Sequence, residues 1–140
     1  MNEIQDEIIR EFKPFRNLID KYSYLVKLGK GLPVLSLEHR NENTLIRGCQ
    51  LTTWFSYLYK DEKVYFNVDS SSLLIKGAIV LLLRVLSGQR PEDIVATDLY
   101  FIDKAGLGEI FAPIRANSLW KLENLMKESA KEINLNAKII

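Results

Sequence analysis

Apolar residues in the first part of the chain recur at helical spacing. Ile4, Ile8 and Phe12 share one face, and Lys13-Pro14 ends the segment because proline restricts the residue before it. A second helix is predicted from about Phe15 to Leu28, with Leu18, Tyr22, Leu25 and Val26 on one face and Gly29 as its C-terminal cap. Gly31 to Glu42 reads as a loop, with Gly31, Pro33 and Ser36 followed by a polar string. The period then changes to two. Thr44, Leu45 and Ile46 read as a strand leading into Arg47-Gly48-Cys49. Gln50 to Tyr59 is rich in Thr, Trp, Phe and Tyr, which favour a pleated surface. Leu51, Thr53, Phe55, Tyr57 and Tyr59 alternate there with Gln50, Thr52, Trp54, Ser56 and Leu58. Lys60-Asp61-Glu62 is a polar turn, and Val64, Phe66 and Val68 continue at period two. The pattern predicts an antiparallel hairpin preceded by a third strand.

Helical periodicity returns after the hairpin. Asp69 or Ser70 is the expected N-cap of a helix from Ser71 to Leu86. That helix is apolar almost all round, so it belongs at the centre of the fold. Ser87-Gly88 ends it. Pro91 suits a first helical turn, with Glu92 and Asp93 favourable beside it. Leu99 to Leu107 reads as a short helix and turn, punctuated by Gly106 and Gly108. A last helix is expected from about Ile114 to Glu132, with Leu119, Leu122, Met126 and Ile133 on its buried face. Residues 134–140 are expected to fray. Helices, then strands, then helices define an α+β fold: a small antiparallel three-stranded sheet packed against helices. One domain over residues 1–140, with a core of about residues 12–133, accounts for the length.

Composition narrows the chemistry. The net charge is +1, from 19 basic and 18 acidic side chains, and no Lys/Arg run tracks a phosphate backbone. Nucleic acid is not an expected ligand. Met1 to Glu11 lacks the continuous apolar core of a secretory signal. The most apolar stretch, Leu73 to Leu86, is shorter than the roughly 20 residues of a bilayer span, and Lys76 and Arg84 interrupt it. A soluble, cytoplasmic protein with no membrane partner is expected. Cys49 is the one cysteine and His39 the one histidine, which forbids an internal disulfide and argues against a resident metal.

Cys49 lies between two strand-like segments. Gly48 permits a positive φ and a close approach by another chain. Arg47 and Gln50 are polar neighbours, which favours a loop tip, and the Arg47 cation lowers the pKa of a nearby thiol. Free cysteine is often a small buried hydrophobe, so inert and reactive readings of Cys49 are both open at this level. Hydrolysis needs a base, and His39 in its polar loop reads as a solvated residue. Sulfur transfer asks for less. A thiolate attacks the outer sulfur of a partner's persulfide, as in thiol–disulfide exchange, and no second catalytic side chain is required.

Here the residues resemble a known family. Leu45-Ile46-Arg47-Gly48-Cys49-Gln50, followed by Trp54, resembles the signature of the SufE family of sulfur acceptors. The helix from Tyr22 through Leu28-Gly29 to Leu32-Pro33 resembles another family segment. So do Asp69-Ser70 with Ile75-Lys76-Gly77, Ser87-Gly88 through Pro91-Glu92-Asp93-Ile94, and Pro113-Ile114-Arg115-Ala116-Asn117. The likeness runs from about Phe12 to about Lys127.

The resemblance implies a fold related to the iron–sulfur scaffold IscU. It implies that Cys49 accepts sulfur from a SufS-type or CsdA-type cysteine desulfurase, stimulates it, and delivers sulfur to a SufBCD-type scaffold complex. Pyridoxal phosphate then belongs to the desulfurase, and this chain needs no cofactor of its own. Arg115 matches a family arginine near the partner-contacting surface, and Gly48, Arg47 and Gln50 join it as expected partner contacts. Ser71 stands where the family often has a second acid, and Ser118 where glycine is common. Monomer and homodimer both fit. Two rival readings are a binding module that alters the desulfurase without carrying sulfur, and a cysteine hydrolase or redox sensor.

Overall fold

The computed structural model describes residues 1–47, 51–114 and 118–139. Helix α1 covers Asn2–Phe12 and α2 covers Leu18–Lys30. Strands β1 (Thr53–Lys60) and β2 (Lys63–Ser70) form one antiparallel hairpin. Helices α3 (Leu73–Leu86), α4 (Pro91–Ala96), α5 (Phe101–Lys104), α6 (Gly108–Ile114) and α7 (Trp120–Ile139) follow.

The central position predicted for the apolar helix is found. Ile75, Ile79, Leu81, Leu82, Val85 and Leu86 of α3 are all buried. Helix α2, helix α1 and strand β2 pack on α3, and α4 packs on α7. The period of two in β2 is also found: Val64, Phe66 and Val68 are buried. The register pairs Thr53 with Ser70, Trp54 with Asp69 and Lys60 with Lys63. This leaves Asp61 and Glu62 as the turn, both at positive φ (53° and 65°) without a glycine. Leu119, Leu122 and Met126 are buried, as their spacing predicts, and Ile133 is 9% exposed.

Several boundaries differ from the sequence expectation. Among the described residues the sheet has two strands, not three. The segment before Cys49 makes only one bridge, Leu45 to Trp54, because an Asn41–Thr44 turn immediately precedes it. Gly29 is not a cap. It lies inside α2, which continues to Lys30 and is capped at Gly31. Asp69 and Ser70 end β2, and Ser72 caps α3 by accepting from the Ile75 N–H at 3.3 Å. The last helix starts at Trp120 rather than Ile114, after a separate α6 and a wider π-helical step at Ser118–Leu119. It also runs through the tail expected to fray, as far as Ile139.

Buried polar side chains fasten α1. Gln5 is fully buried; its amide donates to the Asp98 carbonyl at 2.9 Å and its oxygen accepts from the Tyr100 and Phe101 N–H groups at 2.9 and 3.2 Å. Glu11 accepts from Arg84 at 2.7 Å and from the Tyr24 hydroxyl, joining α1, α2 and α3. Buried polar groups need such partners, since an unmade bond costs about 1–3 kcal/mol.

Candidate functional site

The residues flanking Gly48-Cys49-Gln50 are held from both sides. On the approach, the Asn41 side chain donates to the Leu37 and Glu38 carbonyls, each at 2.9 Å. Thr44 Oγ1 lies 2.7 Å from the His39 carbonyl and accepts from the Asn41 N–H at 3.1 Å. These bonds close a compact polar turn of the kind that Asn and Thr side chains favour. The turn lies against β1. His39 Nδ1 is 3.2 Å from Ser56 Oγ, and the Arg40 guanidinium sits 4.2 Å from the centre of the Trp54 ring. His39 is therefore half-buried and partnered, not the solvated residue its sequence context indicates. The chain then runs antiparallel to β1: Phe55 N–H donates to the Thr44 carbonyl at 2.8 Å and Ile46 N–H to the Thr53 carbonyl at 2.9 Å.

On the far side, the Thr52 carbonyl accepts from Ser70 Oγ at 3.0 Å and from the Ser71 N–H at 2.9 Å. Thr53 Oγ1 is 3.2 Å from the Leu51 carbonyl and 3.3 Å from Ser70 Oγ. Ser70 Oγ in turn accepts from the Ser72 N–H at 3.2 Å. Thr53 and Ser70 are buried at 2% and 1% exposure. The neighbouring Asp69 is buried as well. Its carboxylate accepts from the Ser70 N–H at 2.8 Å and the Leu35 N–H at 3.4 Å, and it lies 3.4 Å from the Lys76 ammonium. Three N–H donors satisfy the charge that burial would otherwise penalise.

A groove of about 450 Å³ lies beside this stem. Ile46 and Arg47 line it with Phe55 of β1 and with Lys121, Leu125 and Glu128 of α7. Arg47, shortly before Cys49 in the chain, and Lys121, shortly after Arg115, thus face one space. Arg47 is exposed. Gly48, Cys49, Gln50 and Arg115 lie outside the described residues. Ser71 contributes its backbone N–H to the stem, and Ser118 is buried at the start of the α7 region. The sequence pattern marks Ser70 as a helix cap and Thr53 as a strand residue; only the hairpin register brings the two together.

Among the described residues, no three His, Cys, Asp or Glu side chains gather as a metal ion would require. Among those residues, no helix is long and apolar enough to cross a membrane.

Comparison with known proteins places the chain in context. The family model "SufE: Fe-S metabolism associated domain" matches residues 6–130. The cysteine desulfuration protein SufE of Wigglesworthia glossinidia brevipalpis is 28% identical over 134 residues, covering 94% of this chain and 93% of that protein. An uncharacterized SufE-like protein of Rhizobium etli is 30% identical over 131 residues, covering 90% and 88%. The solution structure of a hypothetical protein from Thermus thermophilus superposes with a TM-score of 0.72, at 18% identity, over 92% of this chain and 94% of that one. At that identity the match bears on the fold alone.

Proposed function

This chain belongs to the SufE family, which places it in iron–sulfur metabolism, and from that premise we propose that Cys49 is a sulfur acceptor for a partner cysteine desulfurase. The observation that carries the reading is the stem. The only cysteine of the chain lies in sequence between two described flanks that are hydrogen-bonded to β1 and to the end of β2. A single thiol between two fixed flanks suits exchange with a docking protein's persulfide, a reaction that needs no base beside it.

The step balances without an added oxidant. The Cys49 thiol gives up its proton to solvent, and its sulfur attacks the outer sulfur of the desulfurase persulfide. A new S–S bond forms at Cys49 as the donor S–S bond breaks, and the donor leaves as a thiolate. Pyridoxal phosphate, which generates that persulfide from L-cysteine, belongs to the partner. Regenerating the donor thiolate raises desulfurase turnover. The Cys49 persulfide is then passed to an iron–sulfur scaffold complex of the SufBCD type. Arg47 and Arg115 supply cations on the docking surface, and Gly48 and Gln50 lie in its contact.

Incubation with a SufS-type or CsdA-type desulfurase and L-cysteine, followed by intact mass measurement, tests this. The expected product carries one added sulfur that is absent in Cys49→Ser. No added sulfur with a competent desulfurase sinks the proposal. Stimulation that persists in Cys49→Ser replaces it with a pure binding module.

A further inference from the structure

Four cations line one pocket that no carboxylate lines. The pocket is a hollow of about 340 Å³ between the end of α1, the start of α2 and the turn after α5. Arg10 and Lys13 come from α1 and its C-cap, Lys21 from α2 and Lys104 from α5, so no basic run announces them. Among the described residues none of the four makes an ion pair. The acids nearby in sequence are engaged elsewhere. Asp6 accepts from the Tyr100 hydroxyl at 2.8 Å, Glu11 from Arg84 and Tyr24, and Asp20 from the Asn17 side chain at 3.1 Å. Glu7 and Asp103 do not line the pocket. The C-terminal dipole of α1 accounts for Arg10 and Lys13, but not for Lys21 and Lys104 beside the same space. Like charges brought together repel, so the arrangement favours an anion that joins them.

The other walls are apolar. Ile9 and Phe15 are half-buried there, and the Phe15 ring is braced by Phe12 and Tyr24, at 6.0 and 5.0 Å between ring centres. Gly106 keeps one side open. Its φ of 73° suits glycine, and a Cβ there would lie 2.5 Å from the Lys21 ammonium. Lys21 instead donates to the Gly106 carbonyl at 3.4 Å and keeps two further N–H donors. The Lys104 ammonium sits 5.4 Å from the centre of the Tyr100 ring, a contact that holds the side chain without cancelling its charge.

We infer that this pocket binds a small phosphate-bearing ligand with an aromatic part, of the nucleoside diphosphate class. Arg10 offers a planar fork and the lysines offer point charges, the two ways in which side chains hold phosphate. Phe15 offers a ring on which a base stacks. The volume lies at the small end of ligand sites, which run from about 300 to 1,000 Å³. The site shares no residue with the sulfur-acceptor reading, so the two stand or fall separately.

Titration calorimetry and amide NMR shifts on the full chain, with ADP, pyrophosphate and adenosine as probes, test this. ADP should bind with a dissociation constant below about 1 mM, and pyrophosphate about five-fold more weakly. Adenosine should not bind in that range. The amides of Arg10, Lys13, Lys104 and Gly106 should shift, and those of Tyr57 to Lys60 should not. Lys13→Gln and Lys104→Gln, both at exposed positions, should each weaken ADP about three-fold. Phe15→Leu should weaken ADP about five-fold and leave pyrophosphate unchanged. No ADP binding at about 1 mM overturns the inference. So does binding whose shifts fall elsewhere, or that both lysine variants leave intact. Pyrophosphate as tight as ADP overturns the nucleotide class. Circular dichroism checks that each variant is folded; should Phe15→Leu not fold, ADP against pyrophosphate on wild type decides alone.

Discussion

Gly29 of α2 and Gly77 of α3 meet where the two helices cross, and neither position has room for a side chain. A Cβ on Gly29 would lie 2.4 Å from the Leu73 carbonyl oxygen and 3.0 Å from the Gly77 nitrogen, and one on Gly77 would lie 2.3 Å from the Leu25 carbonyl oxygen. The two glycines let the backbones approach, and the close approach buries Leu25 against the central helix. Alanine at either site gains about 1 kcal/mol of helix propensity. The opposing clash is with backbone, which yields less than a side chain tip does, and overpacking costs typically about 1–3 kcal/mol or more. Gly77→Ala should therefore lose up to about 2 kcal/mol net in urea unfolding, the clash being with backbone. A variant as stable as wild type would mean that the helices separate freely.

Asp69 sits at the end of β2 with its carboxylate shared among Ser70 N, Leu35 N and Lys76. Removing one member of a buried pair leaves the other uncompensated, at about 3–5 kcal/mol. Asp69→Ala should lie at the lower end, near 3 kcal/mol by that scale, because Lys76 keeps 16% side-chain exposure and turns to solvent. Lys76→Met should cost less, since two backbone donors still hold the carboxylate. Chemical denaturation of both variants gives the comparison. Equal losses would show that the ion pair, not the backbone donors, satisfies Asp69.

Tyr24 provides a pH test. Burial and the hydrogen bond to Glu11 push its hydroxyl up from 10 to about 12. The folded protein thus holds this proton more tightly than the unfolded chain does. The stabilising contribution is complete below pH 10 and is lost as the pH rises through 12. Ultraviolet titration should show one tyrosine ionising near 12, missing in Tyr24→Phe. The stability gap between wild type and Tyr24→Phe should shrink between pH 10 and 12. A constant gap through that window contradicts the assignment.

The hairpin turn is strained by its sequence. Asp61 and Glu62 both adopt positive φ, which costs a residue with a side chain roughly 1–2 kcal/mol. Two-residue hairpins of this kind favour Asn-Gly. Replacing the pair by Asp61→Asn and Glu62→Gly should raise stability by about 1 kcal/mol. The change removes the Glu62–Arg90 ion pair at 3.5 Å, but that pair is more than half exposed and such pairs contribute about 0–1 kcal/mol. A thermal melt of the double variant measures the balance; a lower midpoint would mean the ion pair outweighs the turn.

Periodicity was enough to place α1, the hairpin and the central apolar helix, because spacings of two and of about 3.6 are local properties of the chain. The residues around Cys49 and the other family-like segments were enough to relate the chain to its family. Those inferences need only residue identity and order. Boundaries depend on more. Gly29 has the sequence of a cap, yet α2 runs past it because α3 packs there. Asp69 and Ser70 have the sequence of an N-cap, yet partners at Thr52, Leu35 and Lys76 draw them into the strand and leave the cap to Ser72. Gln5 is polar and carries no sequence signal of burial; the α4–α5 turn supplies the three bonds that bury it. The Thr53–Ser70 pair follows the same rule. Each residue is ordinary in its own strand, and only the register that sets them opposite each other brings their hydroxyls together. Hydrogen-bond partners far apart in the chain decide such features, and tertiary packing alone brings those partners together.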